Sequence, residues 1–315
     1  MARFVVRRVL SMLVVLFAIS VLTFLIFNVL PGGDPALRMA GRQPDPGQLQ
    51  RIREDWGFNE PVYVQYVKTI GRVFSGDLIS YSTQQNVIEE IWKRVGRTFS
   101  LAIGAAILWM FFATALGLYT AIKAGRISDR LLTVLAMIGV SMPVFWVGAL
   151  MNYYIGFKAG IFPYGGYVPI DEDPVDWFYH LVMPWTALSL LFIGVYSRVL
   201  RSNILDTINE DYVRTARAKG LSERRVLLKH VLRNSLIPIV TLWGLDFGAV
   251  LGGGAILTET VFDLQGVGQY AQESVDQLDV PPVLAITMLA AFFIVLLNTA
   301  VDIIYAVLDP RIRLT

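Results

Sequence analysis

Cysteine is absent from this 315-residue sequence, histidine occurs twice, and Asp, Glu, Lys and Arg together supply only 17%. Without cysteine there is no disulfide and no thiolate chemistry, and redox usage gives no clue to compartment. His180 and His230 stand far apart, on opposite sides of the membrane in the topology argued below. Neither has a companion ligand at helical spacing, which excludes a shared metal site. G-x-S-x-G, H-E-x-x-H and Walker A sequences are all missing. "GVGQYA" at 266–271 does match G-x-G-x-x-A. It follows a membrane span and an external loop, not a strand of a βαβ unit, so its glycines lack the phosphate-binding context. No catalytic, cofactor-binding or metal-ligating residue is expected, and any ATP used must be hydrolysed by a partner. Internal repeats, low-complexity tracts and flexible linkers are also missing.

The shortage of charge has a positive counterpart. A soluble domain carries about 25% charged residues, whereas here 55% of residues are hydrophobic. They cluster into six runs, at 9–30, 99–122, 131–156, 180–199, 236–258 and 283–307. Each is close to the roughly 20 residues needed to cross about 30 Å of hydrocarbon. A membrane barrel would alternate every second residue, so uninterrupted runs mean helices. The expected fold is an all-α polytopic membrane protein with six transmembrane helices. The basic start "MARFVVRR" suits a signal peptide, but the apolar stretch is long and lacks a small-x-small cleavage site. A retained first helix is expected.

Short loops set the orientation. Arg3, Arg7 and Arg8 in 1–8, Lys123, Arg126 and Arg130 in 123–130, the basic loop 200–235, and Arg311 and Arg313 in 308–315 share one side. Opposite them, 157–179 offers only Lys158 against Asp171, Glu172, Asp173 and Asp176, and 259–282 has five acids and no basic residue. Both termini and the basic loop are therefore expected in the cytoplasm. The long 31–98 segment mixes turn signals (Pro44, Pro46, Gly57, Pro61, Gly76) with two short amphipathic helical patterns, as in an external cap. Val87, Ile88, Ile91, Trp92 and Val95 then repeat as in an interfacial helix feeding the second span.

Inside the runs, Gly244, Gly248 and Gly252 recur every fourth residue and open one face to close packing, static or sliding. Asp246 and Asp302 are the acids placed within spans. An ionisable residue at depth is costly and points to function by default, or else to a buried partner. Asp246 either lines a polar path or is structurally paired, whereas Asp302 reads as structural. Ser141, Met142, Pro143 and Trp146 interrupt the third run, as a packing kink or a gate.

The segment "DYVRTARAKGLSERRVLLKHVLRN" (211–234) holds seven basic residues between two apolar runs. At roughly 2.5–3.5 kcal/mol each near the bilayer centre, they exclude insertion. Glu210 and Asp211 favour a helix start, Gly220 a helix end, and Ser222 with Glu223 the start of a second helix. A basic amphipathic helix could rest on anionic lipid. The small Thr215 and Ala216 beside Gly220 instead suit insertion into a protein groove.

At this point the chain resembles permeases of ABC importers, whose cytoplasmic loop reads E-A-A-x3-G-x9-I-x-L-P. Arg214, Thr215 and Ala216 stand at the E-A-A positions, Gly220 is the glycine, and Leu232 matches further on. The glutamate, isoleucine and proline of the pattern are replaced. The wording of this loop, with "PGGDPA", "SMPVFWVG", "LGGGAILTETVF" and "DPRIR", resembles the dipeptide/oligopeptide/nickel type along the whole chain. Gln265 departs from the family's usual proline and Asp246 from its usual glutamine.

The resemblance implies a type I importer permease fold with a coupling helix that docks an ATPase subunit. That helix would comprise Asp211, Tyr212, Val213, Arg214, Thr215, Ala216, Arg217, Ala218, Lys219 and Gly220. Implied partners are a second homologous permease, two ABC ATPase subunits carrying ATP and Mg, and an external substrate-binding protein. Trp146, Asn152, Trp243 and Asp246 are expected to line the path, where an acid would favour a cationic group such as a peptide amino terminus. Cargo in this family covers di- and oligopeptides, nickel chelates and oligosaccharides. A secondary transporter is the main rival, though it often shows inverted repeats, which are not seen. An intramembrane enzyme would need a paired set for which only Asp246 with Asp302 offers candidates.

Overall fold

The structure, a computed structural model, describes residues 2–29, 36–37 and 46–308. Residues 31–35 of "PGGDPA", 309–313 of "DPRIR" and the side chain of Asp302 lie outside the described ones. The chain divides into two compact units. One comprises Met1–Thr98, Leu251–Ile256 and Gln265–Thr315, the other Phe99–Val250 and Leu257–Leu264.

In the first unit α1 (Ala2–Phe24) continues through wide π-type turns at Leu25–Val29. The amphipathic patterns of the external segment form α2 (Pro46–Trp56) and α3 (Val62–Ser75). α4 (Val87–Ile122) starts where the Asn86 side chain accepts the Ile88 and Glu89 amides at 2.9 and 3.2 Å, with Glu89 and Glu90 in its first turn. Both features favour a helix N-terminus. The interfacial helix and second span expected separately are thus one 36-residue helix. At 1.5 Å per residue it is about 54 Å long, more than a bilayer's hydrocarbon needs.

After Gln265, α11 (Val267–Asp276) and α12 (Val280–Leu308) complete this unit. Its core joins Leu78, Val87, Ile91, Val267, Tyr270, Ala285 and Ile286. Asp279, 2% exposed, accepts from Ser80 Oγ at 2.5 Å and from the Tyr81 amide at 2.9 Å. These bonds tie the turn before α4 to the start of α12. Burial, with Asp279's charge adding, pushes the Tyr270 hydroxyl up to about 12.

The second unit holds most of α4, then α5 (Ile127–Ser141) and α6 (Val144–Met151), which continues in π-type turns at Asn152–Lys158. α5 and α6 bend by 98° at Met142–Pro143, because proline supplies no amide to carry the hydrogen-bond ladder across. α7 (Pro174–Thr207) begins with Pro174 at its first position and the Asp173 carboxylate accepting the Val175 and Asp176 amides. α8 (Asp211–Ala218) and α9 (Glu223–Gly254) follow, α9 belonging to this unit as far as Val250 and ending in a backbone kink at Gly253 (φ 127°). α10 (Ile256–Val261) comes next.

α7 organises this unit. Leu181, Met183, Leu188, Tyr196, Leu200 and Ile204 are buried along it, and α5, α6 and α9 all pack on it. Glycines allow the approach. A Cβ at Gly104 would run into the Trp185 ring, one at Gly117 would sit 2.9 Å from Ser197 O, and one at Gly194 would sit 2.5 Å from Ala136 O. Small residues of this kind are what helices in lipid use to pack closely. Among the described residues there is no strand, and five helices are long and apolar enough to span a membrane. The bent α5–α6 pair makes a sixth span if counted as one.

Candidate functional site: a short exposed helix and an intramembrane carboxylate

α8 is a two-turn helix held between the ends of two spans. Glu210 stands at its N-cap position in extended conformation, and Asp211 lies in the first turn. Its end is a Schellman closure: Gly220 N–H bonds Arg217 O at 2.9 Å and Leu221 N–H bonds Ala216 O at 3.4 Å. Gly220 sits at φ +76°, and a Cβ there would meet nothing within 4 Å. Its need for glycine is therefore conformational rather than steric within this chain. Ser222 takes the N-cap position of α9, but its side chain makes no capping bond.

The inner face of α8 is small and apolar. Val213 is 0% and Ala216 5% exposed, and both lie toward the first turns of α9, on which α8 packs. Ala216 was expected to be small to fit a partner. Its side chain is instead buried within the chain, where its size sets how closely α8 packs. Tyr212 Oη receives Asn234 Nδ2–H at 2.7 Å, and Arg217 pairs with Glu223 at 2.9 Å. Asp211, Tyr212, Arg214, Thr215, Ala218, Lys219 and Gly220 are exposed.

Beneath this helix, α7 and α9 are locked together. Ser235 Oγ lies 3.0–3.2 Å from Val231 O, Asn203 O and Thr207 Oγ1. Arg201 grips Asp129, 3% exposed, through Nε at 2.9 Å and Nη2 at 2.7 Å. Asp129 also accepts the Gly125 amide at 2.9 Å, so the α4–α5 turn, α5 and α7 share one polar knot. Sequence reasoning missed this brace. The available signal was an acid on a turn opposite a stretch rich in arginine.

Deeper in the unit, Asp246 Oδ2 accepts from Tyr196 Oη at 2.6 Å. Tyr196 is fully buried beside Trp109, whose ring stacks on Phe192 at 4.3 Å. Trp243, one turn from Asp246, donates to Ala106 O at 3.3 Å and stacks on Phe247 at 5.2 Å. Asn152 donates instead to Val261 O at 3.0 Å, while Trp146 is 46% exposed. Of the four residues expected on a path, the structure thus brings Trp243 and Asp246 into one aromatic setting. It gives Asn152 a separate partner. Gly244 and Gly248 are buried, and a Cβ at Gly252 would lie 2.5 Å from Ile294 of α12.

These features define a polytopic helical membrane protein with long apolar helices and a short basic helix exposed between spans. The chain belongs to the family described as binding-protein-dependent transport system inner membrane component, matching its main model over residues 113–314 and its N-terminal model over 1–102. It is 34% identical to the "Probable peptide ABC transporter permease protein y4tP" of Sinorhizobium fredii, over 99% of this chain and 100% of the relative. It is 36% identical to the glutathione transport system permease protein GsiC of Escherichia coli O6:H1 and 37% to that of Salmonella paratyphi A, over 99% of both chains in each case. Its fold resembles the inward-facing MetNI methionine ABC transporter, with TM-score 0.54 and 15% identity, covering 70% of this chain and 96% of that one. The chain is accordingly a multi-pass inner-membrane permease subunit of an ABC importer, not an enzyme. Components of this family bind no cofactor directly and work with ATPase and substrate-binding partners.

Proposed function

We propose that the chain forms one half of a translocation path for peptides, paired with a second homologous permease and driven by two ATPase subunits that hold the ATP and Mg. In this reading 1–8, 200–235 and 308–315 face the cytoplasm, and the 31–98 cap with the 259–282 loop meets an external binding protein. The observation that carries it is α8: a helix of fixed geometry, exposed on one face and anchored on the other. Such a helix transmits force, because its inner residues Val213 and Ala216 are packed against α9 and α9 is knotted to α7 through Ser235. A push on α8 is thereby delivered to two spans. The relatives' printed cargoes, peptide and glutathione, support a peptide substrate.

The test is reconstitution of the chain with its partner permease, ATPases and binding protein. Thr215→Trp, on the exposed face, should leave assembly of the spans intact and abolish binding-protein-stimulated ATP hydrolysis. Full stimulation with full uptake would remove the docking role of α8.

A further inference from the structure

We propose that Asp246, oriented by Tyr196, is an acceptor within the span for a primary ammonium group of the passing cargo. This deepens, and rests on, the proposed translocation role, with Trp243 and Asp246 of α9 taken as residues of the path. A carboxylate at membrane depth needs a compensating charge or a water-filled, protein-lined surface. Tyr196 supplies one hydrogen bond to Oδ2. Among the described residues Asp246 has no ion pair, and the run that contains it has no Lys or Arg. The nearest basic residue on α7, Arg198, lies two positions from Tyr196 and is exposed. Among the described residues nothing therefore matches the charge of this half-buried acid.

The surroundings suit one kind of cation. Tyr196 and Trp109 are fully buried and back the carboxylate from within the chain, whereas the stacked Trp243 and Phe247, near Asp246 on α9, are only partly buried and are the rings a cation can meet. Aromatic faces beside a carboxylate attract ammonium groups through the ring quadrupole. A guanidinium prefers two unengaged carboxylate oxygens in one plane; Tyr196 takes one lone pair of Oδ2, so among the described residues Oδ1 is the oxygen with no hydrogen bond and offers the less hindered single contact. A point-charge ammonium, such as a peptide amino terminus, fits that remaining geometry.

The test uses the complete complex in proteoliposomes and dicyclohexylcarbodiimide, which modifies carboxyl groups in apolar settings. The adduct on the α9 peptide is read by mass spectrometry, with Asp246→Asn as the blank. Propylammonium chloride should slow labelling of Asp246 several-fold relative to sodium chloride at equal concentration, and Tyr196→Phe should weaken that protection. Equal labelling in both salts overturns the proposal, as does no labelling in either, which would mean a carboxylate sealed against another chain. Uptake of trialanine and N-acetyl-trialanine is measured alongside. Asp246→Asn should erase, and Asp246→Glu keep, a preference for the free amine. Wild-type complex that moves neither peptide contradicts the peptide reading, while the labelling result still decides the role of Asp246.

Discussion

Gly220 separates two reasons for a small residue at the end of α8. Its φ of +76° is a left-handed conformation, and nothing lies within 4 Å of a built Cβ. Gly220→Ala therefore meets backbone strain and no clash within the chain. A non-glycine residue there costs about 1–2 kcal/mol, which is about 5- to 30-fold in the population of the closed turn. Asparagine tolerates this region better than alanine, so Gly220→Asn should cost less. Amide hydrogen exchange over 211–221 in the assembled complex reads the turn directly. Alanine should speed exchange of the Gly220 and Leu221 amides by roughly that factor, and asparagine by less. Stimulated ATP hydrolysis should follow the same order. If asparagine and alanine are equally damaging to ATP hydrolysis while exchange stays at the wild-type rate, the glycine is needed by the docked partner and the conformational argument is wrong.

Other consequences follow from the packing. Ala216→Leu overfills the buried face of α8 and should destabilise the loop by about 1–3 kcal/mol, seen as faster exchange in 211–218 without any partner bound. Asp129→Ala leaves Arg201 without its carboxylate. Because Arg201 remains 30% exposed, the loss should be about 2–3 kcal/mol, below that of a fully buried pair, measured as a lower thermal inactivation midpoint of the purified complex. Gly194→Leu places atoms where the Ala136 carbonyl now lies, and should abolish stable insertion of folded chain while the smaller Gly194→Ala retains part of it.

Much of this arrangement is visible in the sequence because lipid imposes long apolar runs and the positions of Pro143 and Gly220 punctuate them. The bend at Met142–Pro143 and the Schellman end of α8 both rest on local chemistry that single residues announce. Hydropathy alone split α4 at the membrane boundary, yet a helix begins at its cap, and Asn86 sets that start well before the apolar run. Three-residue spacing puts Val213 and Ala216 on one face, a pairing that the expectation built on the small Thr215 and Ala216 passed over. Whether that face meets a partner or the chain's own α9 depends on contacts between α8 and the following helix, which periodicity does not encode. The Tyr196–Asp246 and Arg201–Asp129 bonds were equally hidden, since both join residues more than one element apart. Asn152 was expected on the path because it is polar within a span; its bond to the Val261 carbonyl at the end of α10, one of the acceptors a helix end leaves open, joins distant segments that periodicity does not link.

In the proposed function α8 is where ATP hydrolysis meets the spans. Because the chain contains no cysteine, Thr215→Cys gives it a single thiol on the exposed face of α8. A thiol-to-amine cross-linker of short reach, applied to the assembled complex, should join position 215 to an ATPase subunit. The same reagent at Tyr164→Cys, an exposed position in the expected external loop 157–179, should not. Cross-linking to the ATPase from position 164 but not from 215 would contradict both the orientation and the role of α8.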